Sequence, residues 1–169
     1  MKCYICPRKC GADRSKQYGF CGCNDVISIR RAAPHFWEEP CISGTNGSGT
    51  IFFEGCQLHC VFCQNYKISE VGHICESTEN DYSSIIKEKG FSSNEKEIIN
   101  LFIKLKEQNV HNINLVTPDM YIPQLIPIIK KVKKEGFDLP FIMNCSGYES
   151  TEMIKSLRGI IDIYLPDFK

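Results

Sequence analysis

Thr50-Ile51-Phe52-Phe53-Glu54-Gly55-Cys56-Gln57-Leu58-His59-Cys60-Val61-Phe62-Cys63 joins two signals in one stretch. Its first four residues are β-branched or aromatic, which reads as a short strand. Cys56, Cys60 and Cys63 then follow in the spacing C-x3-C-x2-C. Soft thiolates select iron–sulfur clusters, zinc or copper(I) over hard cations. A structural zinc site closes with four ligands, so zinc here would need a fourth from His59 or a distant cysteine. Three thiolates on one tight loop instead leave one corner of an iron–sulfur cube open for chemistry.

Downstream of this stretch, strand and helix signals alternate. Residues from about 70 to 93 are polar and irregular and read as an inserted loop, with a short helix at 82–89. Ser93 is the expected N-cap of a helix over about 94–108, whose Ile98, Ile99, Leu101, Phe102 and Leu105 recur at helical spacing. A second strand runs over 112–116 and stops at Thr117-Pro118. The next helix covers about 122–135, with Pro123 in its first turn and Gly136 at its end. Pro127 is expected to distort that helix unless the helix begins there. A third strand covers 140–144, Ser150 caps a helix at about 151–157, and a fourth strand covers 160–165.

Strand–helix alternation predicts an α/β fold with a parallel sheet and right-handed crossovers. Active sites of such barrels form at the carboxyl ends of the strands. The chemistry-bearing residues fall there each time: the cysteine loop, Thr117-Pro118-Asp119, Asn144-Cys145-Ser146-Gly147-Tyr148, and Asp167-Phe168-Lys169. The residues of these four loops, Thr117, Asp119, Asn144, Ser146, Asp167 and Lys169 among them, are therefore the candidate site.

The 169 residues include 20 basic and 20 acidic side chains, so the formal net charge is zero. No basic field is present to attract nucleic acid or an anionic membrane. No apolar run approaches the roughly 18 residues of a membrane span. Eleven cysteines would suggest disulfides in a secreted chain. The opening stretch lacks the apolar core of a signal peptide, so a cytoplasmic location and bound metal are the expectation. Residues 1–49 form a cysteine-rich extension with little periodic pattern, and 50–169 form the main domain. In the extension Cys3, Cys6, Cys10 and Cys21 are candidate ligands, with Cys23, His35 and Cys41 in reserve. A structural zinc site would fold a segment that has little core of its own. An auxiliary iron–sulfur cluster is the alternative.

Several segments together resemble one family. They are Cys3-x2-Cys6-Pro7-Arg8-x-Cys10-Gly11, Gly19-Phe20-Cys21-Gly22, Gly49-Thr50-Ile51-Phe52-Phe53-x-Gly55-Cys56 and Phe62-Cys63-Gln64-Asn65-Tyr66. Asn112-Ile113-Asn114-Leu115-Val116-Thr117-Pro118 and Tyr164-Leu165-Pro166-Asp167-Phe168-Lys169 complete the set. The chain resembles the radical S-adenosylmethionine (SAM) superfamily, and within it the group of pyruvate formate-lyase activating enzyme and its uncharacterised homologues. The resemblance implies a partial (β/α)6 barrel, of which 50–169 would supply the first four units. It implies a [4Fe–4S] cluster on Cys56, Cys60 and Cys63, with SAM chelating the fourth iron. Reductive cleavage of SAM to a 5′-deoxyadenosyl radical and hydrogen abstraction would follow. Phe62 would pack against the cluster or the adenine. Asp167 and Lys169 match an Asp-x-Lys element that contacts SAM and a monovalent cation in the activating enzymes. Asn144 and Cys145 stand at the place of cation-binding oxygen ligands, although sulfur suits a hard cation poorly. Thr117-Pro118-Asp119 stands where the superfamily often has Gly-Gly-Glu. The implied partners are flavodoxin or ferredoxin as electron donor, a glycyl-radical enzyme or another substrate, and a separate chain completing the barrel, since the chain is expected to be a truncated part of a longer enzyme. The alternative is a non-catalytic zinc or iron–sulfur module, or an inactive remnant.

Overall fold

The computed structural model describes residues 2–69 and 91–167. The strands in chain order are β1 (Ile27–His35), β2 (Ser48–Phe53), β3 (Phe91–Ser93), β4 (Ile113–Val116), β5 (Phe141–Cys145) and β6 (Ile163–Pro166). They form one sheet in the order β3-β1-β2-β4-β5-β6. β2, β4, β5 and β6 run parallel, with Phe52 opposite Val116, Val116 opposite Asn144, and Asn144 opposite Leu165. This is the α/β architecture expected of a partial radical SAM barrel. Helices α3 (Glu95–Glu107), α4 (Ile122–Lys134) and α5 (Thr151–Ser156) lie between the parallel strands in sequence. Two single-turn helices, α1 (Pro40–Ser43) and α2 (Tyr66–Ser69), lie before β2 and after the cysteine loop.

Side chains alternate across each strand, and the two faces have different tasks. On one face Ile51, Phe53, Ile113, Leu115, Phe141 and Met143 are buried in a single core with Ile98, Phe102 and Leu105 of α3 and Leu125 and Ile129 of α4. Phe102 meets Phe141 edge to face at 5.1 Å between ring centres. Each such side chain contributes about 1.5–3 kcal/mol on full burial, so this layer fixes the strand order and register. The other face presents Thr50, Asn114 and Ile142, and beyond them Phe52, Val116 and Asn144 at the carboxyl ends.

The sheet holds two strands that the sequence reading lacks. β1 pairs antiparallel with β2, and β3 pairs antiparallel with β1. β1 hides in the sequence because Arg30 and Arg31 interrupt its apolar pattern, and its pairing shifts between Ile29 and Arg31. Arg30 is nonetheless buried, its Nε 3.2 Å from the Glu54 carboxylate. The sheet thus draws on residues before 50 as well as after.

The N-cap of α3 is Asn94, not Ser93. Asn94 accepts from Glu97 N at 3.1 Å, and the Glu97 carboxylate accepts from Asn94 N at 2.8 Å, a complete capping box. Ser93 instead pairs with Ile27 as the end of β3. α4 begins at Ile122 and continues through Pro127, which is exposed. Its ring and the carbonyl it leaves unbonded lie on the solvent side, so the helix is not ended there. Ser150 does cap α5, accepting from Met153 N at 3.2 Å. The helix expected at 82–89, Cys75 and Lys169 lie outside the described residues. Among the described residues no helix is long and apolar enough to cross a membrane.

Candidate functional site

β2 delivers the chain to Glu54, and Gly55 turns it into the cysteine loop at φ +86°. A Cβ at Gly55 would meet Cys23 Sγ at 2.2 Å and Cys21 O at 2.6 Å, so the turn needs glycine both for its backbone and for its space. Backbone bonds then pin the loop. Gly55 N donates to Ile68 O, Cys56 N to Cys21 O at 3.3 Å, and Cys63 N to Cys60 O at 3.1 Å. Leu58 N donates to Cys56 Sγ at 3.4 Å. Burial pushes the Cys56 thiol up, and the Leu58 and His59 N–H groups offset part of that. His59 lines the same cavity as the three thiols, with its Nε2 3.0 Å from Phe20 O and its ring packed on Phe20.

Cys56, Cys60 and Cys63 line one cavity at the carboxyl ends of the strands. The cavity is also lined by Asn144 near the end of β5 and by Thr117, Ser146 and Asp167 from the loops after β4, β5 and β6. The sheet register sets these loops side by side, and two bonds join them: Thr117 N donates to Asn144 O at 2.9 Å, and Asp167 N to Cys145 O at 2.8 Å. Seven residues expected from sequence therefore share one cavity.

Two others do not stand where expected. Phe62 is 71% exposed and does not line the cavity. The loop's apolar contacts to the cavity come from Leu58 and Ile68 instead, which leaves the Val61-Phe62 tip facing solvent. Asp119 does not line the cavity. It is fully buried, and neither carboxylate oxygen has a hydrogen-bond partner among the described residues. Burial first, and then the charge of Glu149, raise its pKa to about 8, so it holds a proton at neutral pH.

Glu149 and Gln57 were not legible as site residues. The Glu149 carboxylate accepts from both the backbone N–H and the hydroxyl of Ser146, at 3.1 and 3.0 Å. Gln57 Nε2 reaches the same hydroxyl at 3.4 Å from the cysteine loop. Ser146 is thus held from two sides. Burial, followed by the charge of Glu149, pushes the Cys145 thiol up to about 12, so Cys145 is a neutral wall of the cavity.

The donor set fits a cluster with a polar organic ligand beside it. Three soft thiols lie on one side, and amide, hydroxyl and carboxylate groups lie on the other. Two residues before Val116 on the same face of β4, Asn114 is fully buried with both side-chain amide atoms unpartnered among the described residues. Such an orphan marks a place where a polar group belongs. Among the described residues no three His, Cys or carboxylate side chains converge on a single metal ion. Cluster ligands need not converge in that way, because the inorganic core stands between them.

Comparison with known proteins agrees with this geometry. The family model of the radical SAM superfamily matches residues 50–167, from within β2 to the residue after β6. An uncharacterized protein of Methanocaldococcus jannaschii is 31% identical over 167 residues, covering 99% of this chain. The chain spans 45% of that relative's length. No solved structure matches the chain.

Proposed function

This chain belongs to the radical SAM superfamily, and on that premise we propose that it forms the cluster- and SAM-binding part of an oxidoreductase that abstracts hydrogen. The observation that carries the reading is the single cavity. The three cysteines of one loop line it together with polar side chains from three successive strand ends. Cys56, Cys60 and Cys63 would hold three irons of a [4Fe–4S] cluster. A cluster held there would supply the electron for reductive cleavage of a bound SAM, the chemistry by which this superfamily abstracts hydrogen.

The protein's own part is to bind, orient and shield. The Leu58 N–H that points at Cys56 Sγ favours the thiolate form. Thr117, Asn144, Ser146 and Asp167 present the hydrogen-bonding groups that orient the amino acid and ribose parts of SAM. Gln57 and Glu149 fix the Ser146 hydroxyl, so its direction is set before any ligand arrives. Protonated Asp119 keeps a second negative charge away from the thiolates.

The proposal extends to a role like that of the glycyl-radical activating enzymes, with flavodoxin or ferredoxin as electron donor. What supports it is the Asp167-x-Lys169 pair and the strand-end segments that resemble those enzymes. The test is anaerobic production of 5′-deoxyadenosine from SAM with dithionite. Loss of an outer-shell partner already costs about 10–100-fold at metal sites, so Cys56→Ala, Cys60→Ala or Cys63→Ala should each fall further, to background. Full activity in any one of the three variants would overturn the reading.

A further inference from the structure

Behind the cysteine loop lies a second, separate gathering of thiols. Cys3, Cys6, Cys10 and Cys21 line one small chamber together with Arg14 and Gln57. All four are free thiols. Two tight turns bring them there. In the first, Cys3 N donates to Ala12 O, Gly11 N to Cys3 O, and Lys9 N to Cys6 O, all at 2.9–3.0 Å. In the second, Gly19 N donates to Cys23 O and Gly22 N to Gly19 O, which projects Cys21 toward the first turn. A Cβ at Gly19 would sit 3.5 Å from Cys21 Sγ and 3.6 Å from Cys10 Sγ, so both sulfurs flank the same backbone position. Cys3, Cys10 and Cys21 are all electrostatic neighbours of Cys6.

Arg14 supplies an independent sign of what belongs in the chamber. It is 6% exposed, yet it is a cation. One terminal nitrogen donates to Met120 O at 2.5 Å and the other donates to Asn24 O. Its Nε–H has no acceptor among the described residues. A buried cation with an unused donor calls for an anionic acceptor beside it. Four thiolates around an inorganic sulfide core provide both the charge and the acceptor.

We propose that Cys3, Cys6, Cys10 and Cys21 ligate a second iron–sulfur cluster, with Arg14 donating its Nε–H to a cluster sulfur. Zinc on the same four thiolates is the competing occupant, and a metal count decides between them. Four thiolates on one zinc ion stand about 2.3 Å from a common centre and so touch one another. The chamber abuts the first site: Arg8 Nε donates to Gln57 O at 3.1 Å, and Cys21 O accepts from Cys56 N. The two clusters would be neighbours through one layer of backbone.

The test is elemental. The triple variant Cys56→Ser, Cys60→Ser and Cys63→Ser is reconstituted anaerobically in the full chain, and its iron, sulfide and zinc are counted. About four irons and four sulfides per chain, as a cubane requires, are expected, with a reduced EPR signal that SAM leaves unchanged. Zinc in place of iron, or no metal, overturns the proposal. If the triple variant loses its circular dichroism, the count moves to the wild type and to Cys6→Ser with Cys10→Ser. A fall of about four irons in that double variant sustains the second cluster, and no fall overturns it. Failure of the cysteine loop to bind a cluster would appear separately, as equal iron in the wild type and the triple variant.

Discussion

At Gly55 two demands coincide on one residue. The backbone is at φ +86°, and the hydrogen in place of a side chain lies against Cys23 Sγ and Cys21 O. Gly55→Ala should cost about 2 kcal/mol or more, from the left-handed strain and the clash with backbone oxygen together. Urea denaturation of the reduced, metal-free chain checks this, and a change below about 0.5 kcal/mol, the range of a neutral surface substitution, would contradict it. Asp119 gives a prediction with a sign. Its folded-state pKa of about 8 lies above the ordinary 3.8, so the folded chain holds that proton more tightly than the unfolded chain. The stability gained from the proton is complete below about pH 4 and is lost as pH rises through about 8. Asp119→Asn carries no such titration. Its urea midpoint relative to wild type should therefore climb between pH 5 and pH 8, whereas a constant difference would show that Asp119 does not titrate as the geometry requires. At this scale the three loop cysteines were legible because their spacing alone places them on one turn. Gln57 and Glu149 were not, since each acquires its meaning from Ser146, which lies 89 residues from Gln57 in the chain.

Single elements show the same division between local and long-range information. α3 and α5 were legible because their caps and apolar periodicity are contained within a few residues. The one-residue error at the start of α3 came from two adjacent cap formers, Ser93 and Asn94. Asn94 prevails because Glu97 stands three residues beyond it and returns the bond. Asn94→Ala should destabilise the chain by about 1 kcal/mol, and Ser93→Ala by clearly less, as measured by thermal or urea unfolding. Equal effects would speak against the capping box. β2, β4 and β5 read as strands because each is a short run rich in β-branched or aromatic residues and closed by turn residues. β1 was hidden for the opposite reason. Its Arg30 is an exposed-type residue buried beside the Glu54 carboxylate, and nothing local to Arg30 announces that partner.

For the molecule as a whole, the parallel order of four strands places four loops on one edge, and those loops carry the site. That much followed from alternation and the strand-end rule. The antiparallel pair β1–β3 did not, because its pairing joins residues 27–29 to 91–93 across a long stretch of chain. The chain spans 45% of the archaeal relative's length. The reaction of the whole enzyme, its electron donor and its hydrogen-atom donor are therefore proposals that rest on the site rather than on the relative. What stands at the centre is the claim that Cys56, Cys60 and Cys63 hold a cluster with one iron left for SAM. EPR of the anaerobically reconstituted, dithionite-reduced chain, recorded with and without SAM, tests it most directly. The expected result is a [4Fe–4S]⁺ signal, abolished in the Cys56, Cys60, Cys63 triple variant, whose g values shift when SAM is added to the wild type. A loop-dependent signal that SAM leaves unchanged, or a chain that takes up only zinc, would contradict it.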